Sequence, residues 1–273
     1  LRWVPFAVDE VDLRNRVKNK MIRPTTIPQS LEELVIEQAI AREALRLAFE
    51  QHKSLAVGLK GIQSERTISD IMTQSETGGT LVNLLDLGLL VGSGGVLSHA
   101  PRRVQAALML IDAFLPEGLT HLAVDSIFMA PQLGVLSTVH EEAATQVFEC
   151  DCLVRLGAVL APIGVGKPGQ PCVTVDVAAP GATAVTMRVP FGELAVIPLP
   201  EQGTARLVAR PERGFDLGVG KGKALESAVT GGVVGLIVDT RGRRPFSLPD
   251  DPTVRIARLR EWNRALGLYA REV

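Results

Sequence analysis

The hydrophobic and polar positions divide the chain into stretches of different pattern. From about residue 23 to 148, apolar residues recur at helical spacing and alternate with short apolar runs, which is typical of α/β structure. After about residue 150, short β-branched runs are separated by Pro and Gly, which predicts a small antiparallel sheet or barrel. A last helix is predicted after Asp251 as N-cap, with Pro252 at its first position. We therefore expect an α/β domain over residues 1–150, a β-rich domain over 151–247 and a C-terminal helix over 248–273.

Two helical signals open the first stretch. Ser30 followed three residues later by Glu33 is a capping box, and an apolar stripe follows it through Phe49. Between Leu55 and Met72 the pattern predicts a short strand-like run and then a further helix.

The string "LLVGSGGVLSHAPRR", Leu89 to Arg103, reads as a strand, a glycine turn and a helix. Glycines allow a turn without Cβ clashes, and we expect Ser98 to cap a helix that continues to Phe114. A second strand is predicted over Leu119–Ser126, and the intervening helix suits a crossover between parallel strands. The glycine turn is then expected at the carboxyl ends of parallel strands, where α/β sheets bind ligands.

The residues alone leave two interpretations of this turn open. Glycines let a flat ring approach the backbone, which favours a nucleotide; alternatively, the turn only packs helix against strand. The dinucleotide fingerprint fails because the sixth position from Gly92 is Leu97. The phosphate-loop pattern fails at Lys221, which is followed by Gly222 where Ser or Thr is needed.

Charge and composition limit the classes of binding partner and the cellular location that we expect. The 273 residues carry a net charge of -1, so attraction to nucleic acid or an anionic membrane is not expected. The longest apolar stretch, residues 81–97, is interrupted by polar residues and glycines and is too short to span a bilayer. Three cysteines, an odd number, favour a reducing compartment, and we expect a cytoplasmic protein. The chain begins with Leu1, which suggests a fragment of a longer protein.

Titratable residues give weaker signals. Asp125 ends the predicted strand "LAVD", either as a cap carboxylate or as a ligand for a phosphate-bound metal or a ribose. Cys150 and Cys152 are predicted to lie on a strand and to point to opposite faces. With His140 they still lack a fourth ligand, so no metal site is assigned. The arginines of the last helix are expected on a solvated face.

Longer strings resemble a known family. "LRNRVKNKMIRPTTIPQSLEELVIEQAIAREALRLAFE", "GSGGVLSHAPRR", "DSIFMAPQLGVLS" and "GLIVDTRGRRP" are similar to the glutamate mutase accessory proteins called MutL or GlmL, which are unrelated to mismatch-repair MutL. The resemblance covers about Val11 to Gly267. It implies a two-lobed ATPase of the actin, Hsp70 and hexokinase type, with this chain as the second lobe. It also implies ATP with magnesium as cofactor and a role as a chaperone that reactivates a coenzyme-B12-dependent aminomutase, whose subunits are the expected partners. Self-association is left open.

Within such an ATPase, Gly94 and Gly95 resemble the turn that packs against adenosine, with Ser93, Ser98 and Arg102 at its edge. The candidate binding residues are Gly92, Ser93, Gly94, Gly95, Ser98, Arg102 and Asp125. The Asp-x-Gly-Ser/Thr phosphate loop of the family is not found in the 273 residues, so catalytic residues are unassigned and this chain alone is expected to hydrolyse nothing.

Two alternatives remain. One is a non-catalytic module whose β-rich half, residues 152–244, docks the mutase while the glycine turn is only structural. The other is a sugar or acid kinase of the same superfold, for which the sequence offers no substrate base.

Overall fold

The computed structural model describes residues 2–57 and 82–270. The helices are α1 (Glu10–Ile22), α2 (Leu31–Val57), α3 (Gly95–Ser98), α4 (Arg103–Phe114), α5 (Ala130–Ser137), α6 (Glu141–Val147) and α7 (Pro252–Ala265). The strands are β1 (Leu89–Gly92), β2 (Gly118–Asp125), β3 (Leu153–Ala161), β4 (Pro171–Ala178), β5 (Val185–Pro190), β6 (Leu194–Ile197), β7 (Thr204–Pro211), β8 (Leu225–Thr230) and β9 (Gly235–Asp239). The strand and helix predicted between residues 55 and 72 lie outside the described residues, except that 55–57 end α2.

The helix starts follow their capping signals. The backbone N–H of Glu33 donates to Ser30 Oγ at 3.2 Å, and Glu33 Oε2 accepts from the N–H of Gln29 at 2.7 Å, which confirms the predicted start of α2. Asp251 Oδ1 accepts from the N–H of Val254 at 2.9 Å, and Pro252 is the first residue of α7, as predicted. No helix in the described ranges is both long and apolar enough to cross a bilayer.

The strands of the described residues form two sheets. The first has five strands in the order β1-β2-β3-β9-β6, in which β1 pairs with β2 and β3 with β9 in parallel. The second has four antiparallel strands in the order β5-β4-β7-β8. The parallel pair before residue 150 and the antiparallel pairs after it are both as predicted. However, β3, β6 and β9 join the sheet of β1 and β2, so one sheet crosses the predicted division at residue 150, and the domain assignment stays a prediction.

In the five-stranded sheet, the central strand β3 is buried on both faces because its side chains alternate between two cores. Val159 and Ala161 pack towards α4, Ala39 of α2 and Trp262 of α7. Leu160 points the other way, into the core shared with the four-stranded sheet. The result is three layers: helices, a mixed sheet and an antiparallel sheet.

Two local predictions were wrong. Ser98 does not cap the long helix: it ends α3, and α4 begins after Arg102, because Ala100 and Pro101 interrupt the helix between them. Cys150 and Cys152 lie in a π-helical turn over Phe148–Cys152, not on a strand; Cys150 is exposed and Cys152 is buried.

Candidate functional site

A local structural constraint explains why glycine stands at positions 92 and 94 of the turn, but not at position 95. A Cβ on Gly92 would lie 3.0 Å from Leu97 Cδ1 and 3.1 Å from Leu110 Cδ2, so Gly92 allows α3 and α4 to pack on β1. Gly94 has φ +106°, which side-chain-bearing residues rarely adopt. Gly95 has neither constraint, because its backbone is ordinary and a Cβ there would meet nothing within 4 Å. The space over the backbone of Gly95 is therefore open, and packing does not explain why this residue is glycine.

Asp125, at the end of β2, is fully buried and engaged. Its carboxylate accepts hydrogen bonds from the backbone N–H groups of Ile127 at 3.4 Å, Met129 at 3.2 Å and Ala130 at 2.9 Å. It also accepts a hydrogen bond from Ser93 Oγ at 3.2 Å. Burial raises the pKa of this carboxyl, but the hydrogen bonds outweigh burial and hold the pKa below its usual value. These contacts favour the cap interpretation of Asp125 over that of a metal ligand.

The side chains of Ser98 and Arg102 both form hydrogen bonds with the backbone of this chain. Ser98 is buried, and its Oγ donates to the carbonyl oxygen of Asp125 at 2.5 Å, which ties α3 to the end of β2. Arg102 Nη1 donates to the carbonyl oxygen of Gly267 at 2.6 Å, towards the C-terminal segment. The structure thus links Ser93 and Ser98 to Asp125 by hydrogen bonds at the turn and leaves Arg102 outside this group.

A cleft of about 520 Å³ lies against the turn. Its first wall is the connection from α1 to α2, including Ile27 and Pro28; its second wall is Gly95 with the residues that follow. The apolar lining residues are Pro24, Ile27, Pro28, Leu31, Leu34, Val96, Ala100 and Pro101. The polar lining residues include Lys20, Ser30, Glu37 and His99. This volume is within the range of small-molecule sites.

Sequence reasoning missed the first wall of the cleft. Lys20 holds that wall in place, since its ammonium pairs with Glu37 and donates to the carbonyl oxygen of Thr26 at 2.6 Å. The signal that points to it is "RPTTIPQS", a polar connection stiffened by Pro24 and Pro28 between two helices.

The expected cofactor is ATP with magnesium, and the structure offers unequal support for the adenine ring and for the metal. An apolar cleft that ends on bare backbone suits a flat heteroaromatic ring such as adenine. For magnesium, no group of three or more His, Cys, Asp or Glu side chains is arranged to hold a metal within residues 2–57 and 82–270. Asp125 already satisfies four donors.

The fold and the cleft define a mixed α/β protein with a glycine turn at the carboxyl ends of parallel strands, facing two N-terminal helices. A family model described as MutL protein matches residues 1–152, which include the turn, both cleft walls and Asp125. The chain belongs to this family, the glutamate mutase accessory proteins. No curated protein and no solved structure matches the chain.

Proposed function

We propose that this chain supplies the adenosine-binding part of a cytoplasmic, ATP-dependent accessory protein that reactivates a coenzyme-B12-dependent aminomutase of the glutamate mutase type. Family membership supports the link to the mutase. The three cysteines, all unpaired, support a reducing compartment. The cleft beside the glycine turn supports nucleotide binding.

The main observation in favour of nucleotide binding concerns Gly95. Neither its φ nor its packing requires glycine, yet it lines the cleft together with Val96. A missing Cβ at such a place lets a planar ring lie directly on the backbone. In the proposed complex the adenine ring lies between this backbone and the apolar residues Ile27 and Pro28, which exclude water from both of its faces.

Hydrolysis is not proposed for this chain alone. Phosphoryl transfer needs a metal, a phosphate clamp and a positioned water acting together, and the family's first phosphate loop is not in the sequence. Since the proposed contacts are to the base and not to the phosphates, we expect ATP, ADP and adenosine to bind with similar and modest affinity. A ligand of this size held by base contacts alone corresponds to a Kd of about 0.1 to 1 mM.

The test is a ligand-observed NMR titration with adenosine, ADP, ATP and guanosine. Gly95→Arg fills the cleft without moving the backbone and is expected to abolish adenosine binding. Gly214→Arg is the matched control, because a Cβ at Gly214 also meets nothing within 4 Å and this glycine lies in the β-rich half. Lack of adenosine binding by the wild-type chain, or equal binding by Gly95→Arg, would contradict the proposal. Micromolar ATP affinity with phosphate release would show that a phosphate clamp exists within this chain.

A second candidate function is a non-catalytic mutase-binding module. The close packing at Gly92, the positive φ of Gly94 and the capping role of Asp125 favour it, because they explain most of the turn without a ligand. Under this alternative, mutase binding is the same with and without ATP and in Gly95→Arg.

A further inference from the structure

The segment after β2 exposes an unusual number of apolar side chains. We call residues 126–151, which contain α5 and α6, the α5–α6 hairpin. Val139 is 86% exposed, Val135 71% and Phe128 51%. The two helices pack on each other around the small cluster of Leu133, Ala144 and Cys152, with Met129 and Phe148 partly buried beside it. Apolar side chains concentrated on one exposed element mark interaction sites more often than singly scattered ones.

Phe128 is held outward by the backbone. It has φ +58°, an uncommon conformation for a bulky residue. Asp125 fixes this conformation, because its carboxylate accepts the N–H groups of Ile127 and Met129 on either side of Phe128. Strained backbone held in this way is typical of functional positions.

The charges of the hairpin limit what binds there. Glu141, Glu142, Glu149 and Asp151 are exposed, and residues 126–151 contain no Lys or Arg. Four carboxylates without a counter-charge disfavour phosphate backbones and anionic lipid. They favour a protein segment that presents apolar side chains flanked by Lys or Arg.

We propose that the α5–α6 hairpin is the surface on which the aminomutase docks, through a mutase segment with apolar side chains flanked by basic ones. This assignment rests on the proposed function, from which it takes its partner. The sequence favoured residues 152–244 instead, but the large apolar side chains exposed there are separate valines, at positions 165, 185, 219 and 233. The hairpin is also linked to the glycine turn through one carboxylate, because Asp125 accepts hydrogen bonds both from Ser93 Oγ and from the N–H of Met129.

The experiment measures the Kd between the full chain and purified mutase subunits by biolayer interferometry. The apolar variant is Phe128→Gly with Val139→Ser; glycine adopts a positive φ without strain, so the fold is retained. The charge variant is Glu141→Gln with Glu142→Gln. The control is Val165→Ser with Val219→Ser in the β-rich half. Thermal melting verifies that each variant is folded.

We expect the apolar variant to raise Kd at least about tenfold, as loss of an aromatic anchor does at other interfaces. The charge variant is expected to raise Kd about threefold at low salt, with the difference vanishing at high salt. The control is expected to stay within about twofold of wild type.

Three outcomes overturn the assignment. If the wild-type chain binds the mutase and the hairpin variants bind equally well, the hairpin is not the docking surface, although the proposed function stands. If the wild-type chain does not bind the mutase, the partnership in the proposed function fails and this assignment with it. If the wild-type chain is a dimer that the hairpin variants convert to monomers, the surface belongs to a second copy of this chain.

Discussion

Ser93 Oγ donates a hydrogen bond to Oδ2 of Asp125 at 3.2 Å, across the ends of two parallel strands. Ser93 follows β1 and Asp125 ends β2, and their neighbours Gly92 and Val124 are paired in register. The same carboxylate accepts three backbone N–H groups at the start of the α5–α6 hairpin. One acidic group therefore fixes both the glycine turn and the hairpin.

We expect Asp125→Asn to lower the free energy of unfolding by about 1 to 3 kcal/mol, because an amide leaves some of the buried N–H donors without an acceptor. Ser93→Ala removes one of the four donors and is expected to cost less, about 1 kcal/mol. Urea unfolding followed by circular dichroism measures both. Asp250→Asn, at an exposed aspartate, is the control and should match wild type. Equal stability of Asp125→Asn and Asp250→Asn would contradict the capping role.

The lowered pKa of Asp125 predicts an acid dependence. A carboxyl whose pKa is lower in the folded state stabilises the fold above its unfolded pKa, about 3.9, and this contribution is lost as the pH falls through the folded value. Urea midpoints measured between pH 6 and pH 3 should therefore fall less in Asp125→Asn than in wild type. Identical acid dependence in both chains would show that Asp125 is not ionised in the fold.

The parts of the site that depend on local sequence were predictable. Apolar runs bounded by glycine predicted β1 and β2 within a residue, and Ser30 with Glu33 predicted where α2 begins. The cap at Ser98 was wrong for a local reason that competed with it. The carbonyl of Gly94 already accepts the N–H of Ser98 at 2.9 Å, which places Ser98 inside a short helix and not before a long one.

The remaining features depend on contacts between distant segments. The first wall of the cleft is formed by residues 24–31, for which hydrophobic periodicity predicts only a connection between helices. Likewise, β3 and β9 resemble the other apolar runs of the β-rich half. Their place beside β2 is decided by pairing across the chain, such as Gly157 with Gly235, for which one sequence holds no local signal.

Cysteine burial predicts selective alkylation. Cys150 is exposed, whereas Cys152 and Cys172 are buried. Burial raises the pKa of Cys152, and it raises that of Cys172 to about 12, so neither forms the reactive thiolate near neutral pH. Iodoacetamide at pH 8 should label Cys150 alone in the native protein, as measured by mass spectrometry of peptides. All three should react in urea. Rapid native labelling of Cys172 would contradict its burial.

The glycine pair between β3 and β9 predicts a steric effect. A Cβ on Gly157, at φ +124°, would lie 2.0 Å from the carbonyl oxygen of Gly235. Gly157→Ala is therefore expected to lower stability by about 3 kcal/mol or more, because the two strands must separate. Gly134→Ala is the matched control; its Cβ meets nothing, and alanine in a helix interior should raise stability by about 0.5 to 1 kcal/mol. Opposite shifts in the thermal midpoint are the expected result, and a neutral Gly157→Ala would show that β3 and β9 are less tightly paired.

A buried ionic cluster joins the helical layer to the five-stranded sheet. Arg241 Nη2 donates to Asp239 Oδ2 and to Asp112 Oδ1 of α4, each at 2.8 Å, and its guanidinium lies 4.9 Å from the ring of Trp262 in α7. Burial raises the pKa of Asp239, but Arg241 and Arg243 outweigh burial and hold it well below its usual range.

Arg241→Met leaves the carboxylates of Asp239 and Asp112 buried with fewer counter-charges, and we expect a loss of about 3 to 5 kcal/mol. Because Asp112 would then be the group left partly unpaired, adding Asp112→Asn to Arg241→Met should cost less than Asp112→Asn does in the wild-type background. Arg206→Met is the control: its partner Glu226 is exposed on the four-stranded sheet, and such pairs contribute about 0 to 1 kcal/mol. Urea unfolding of the wild type, the two single variants and the double variant completes the double-mutant cycle. Strictly additive losses from Arg241 and Asp112 would mean that this contact does not hold α4 to β9.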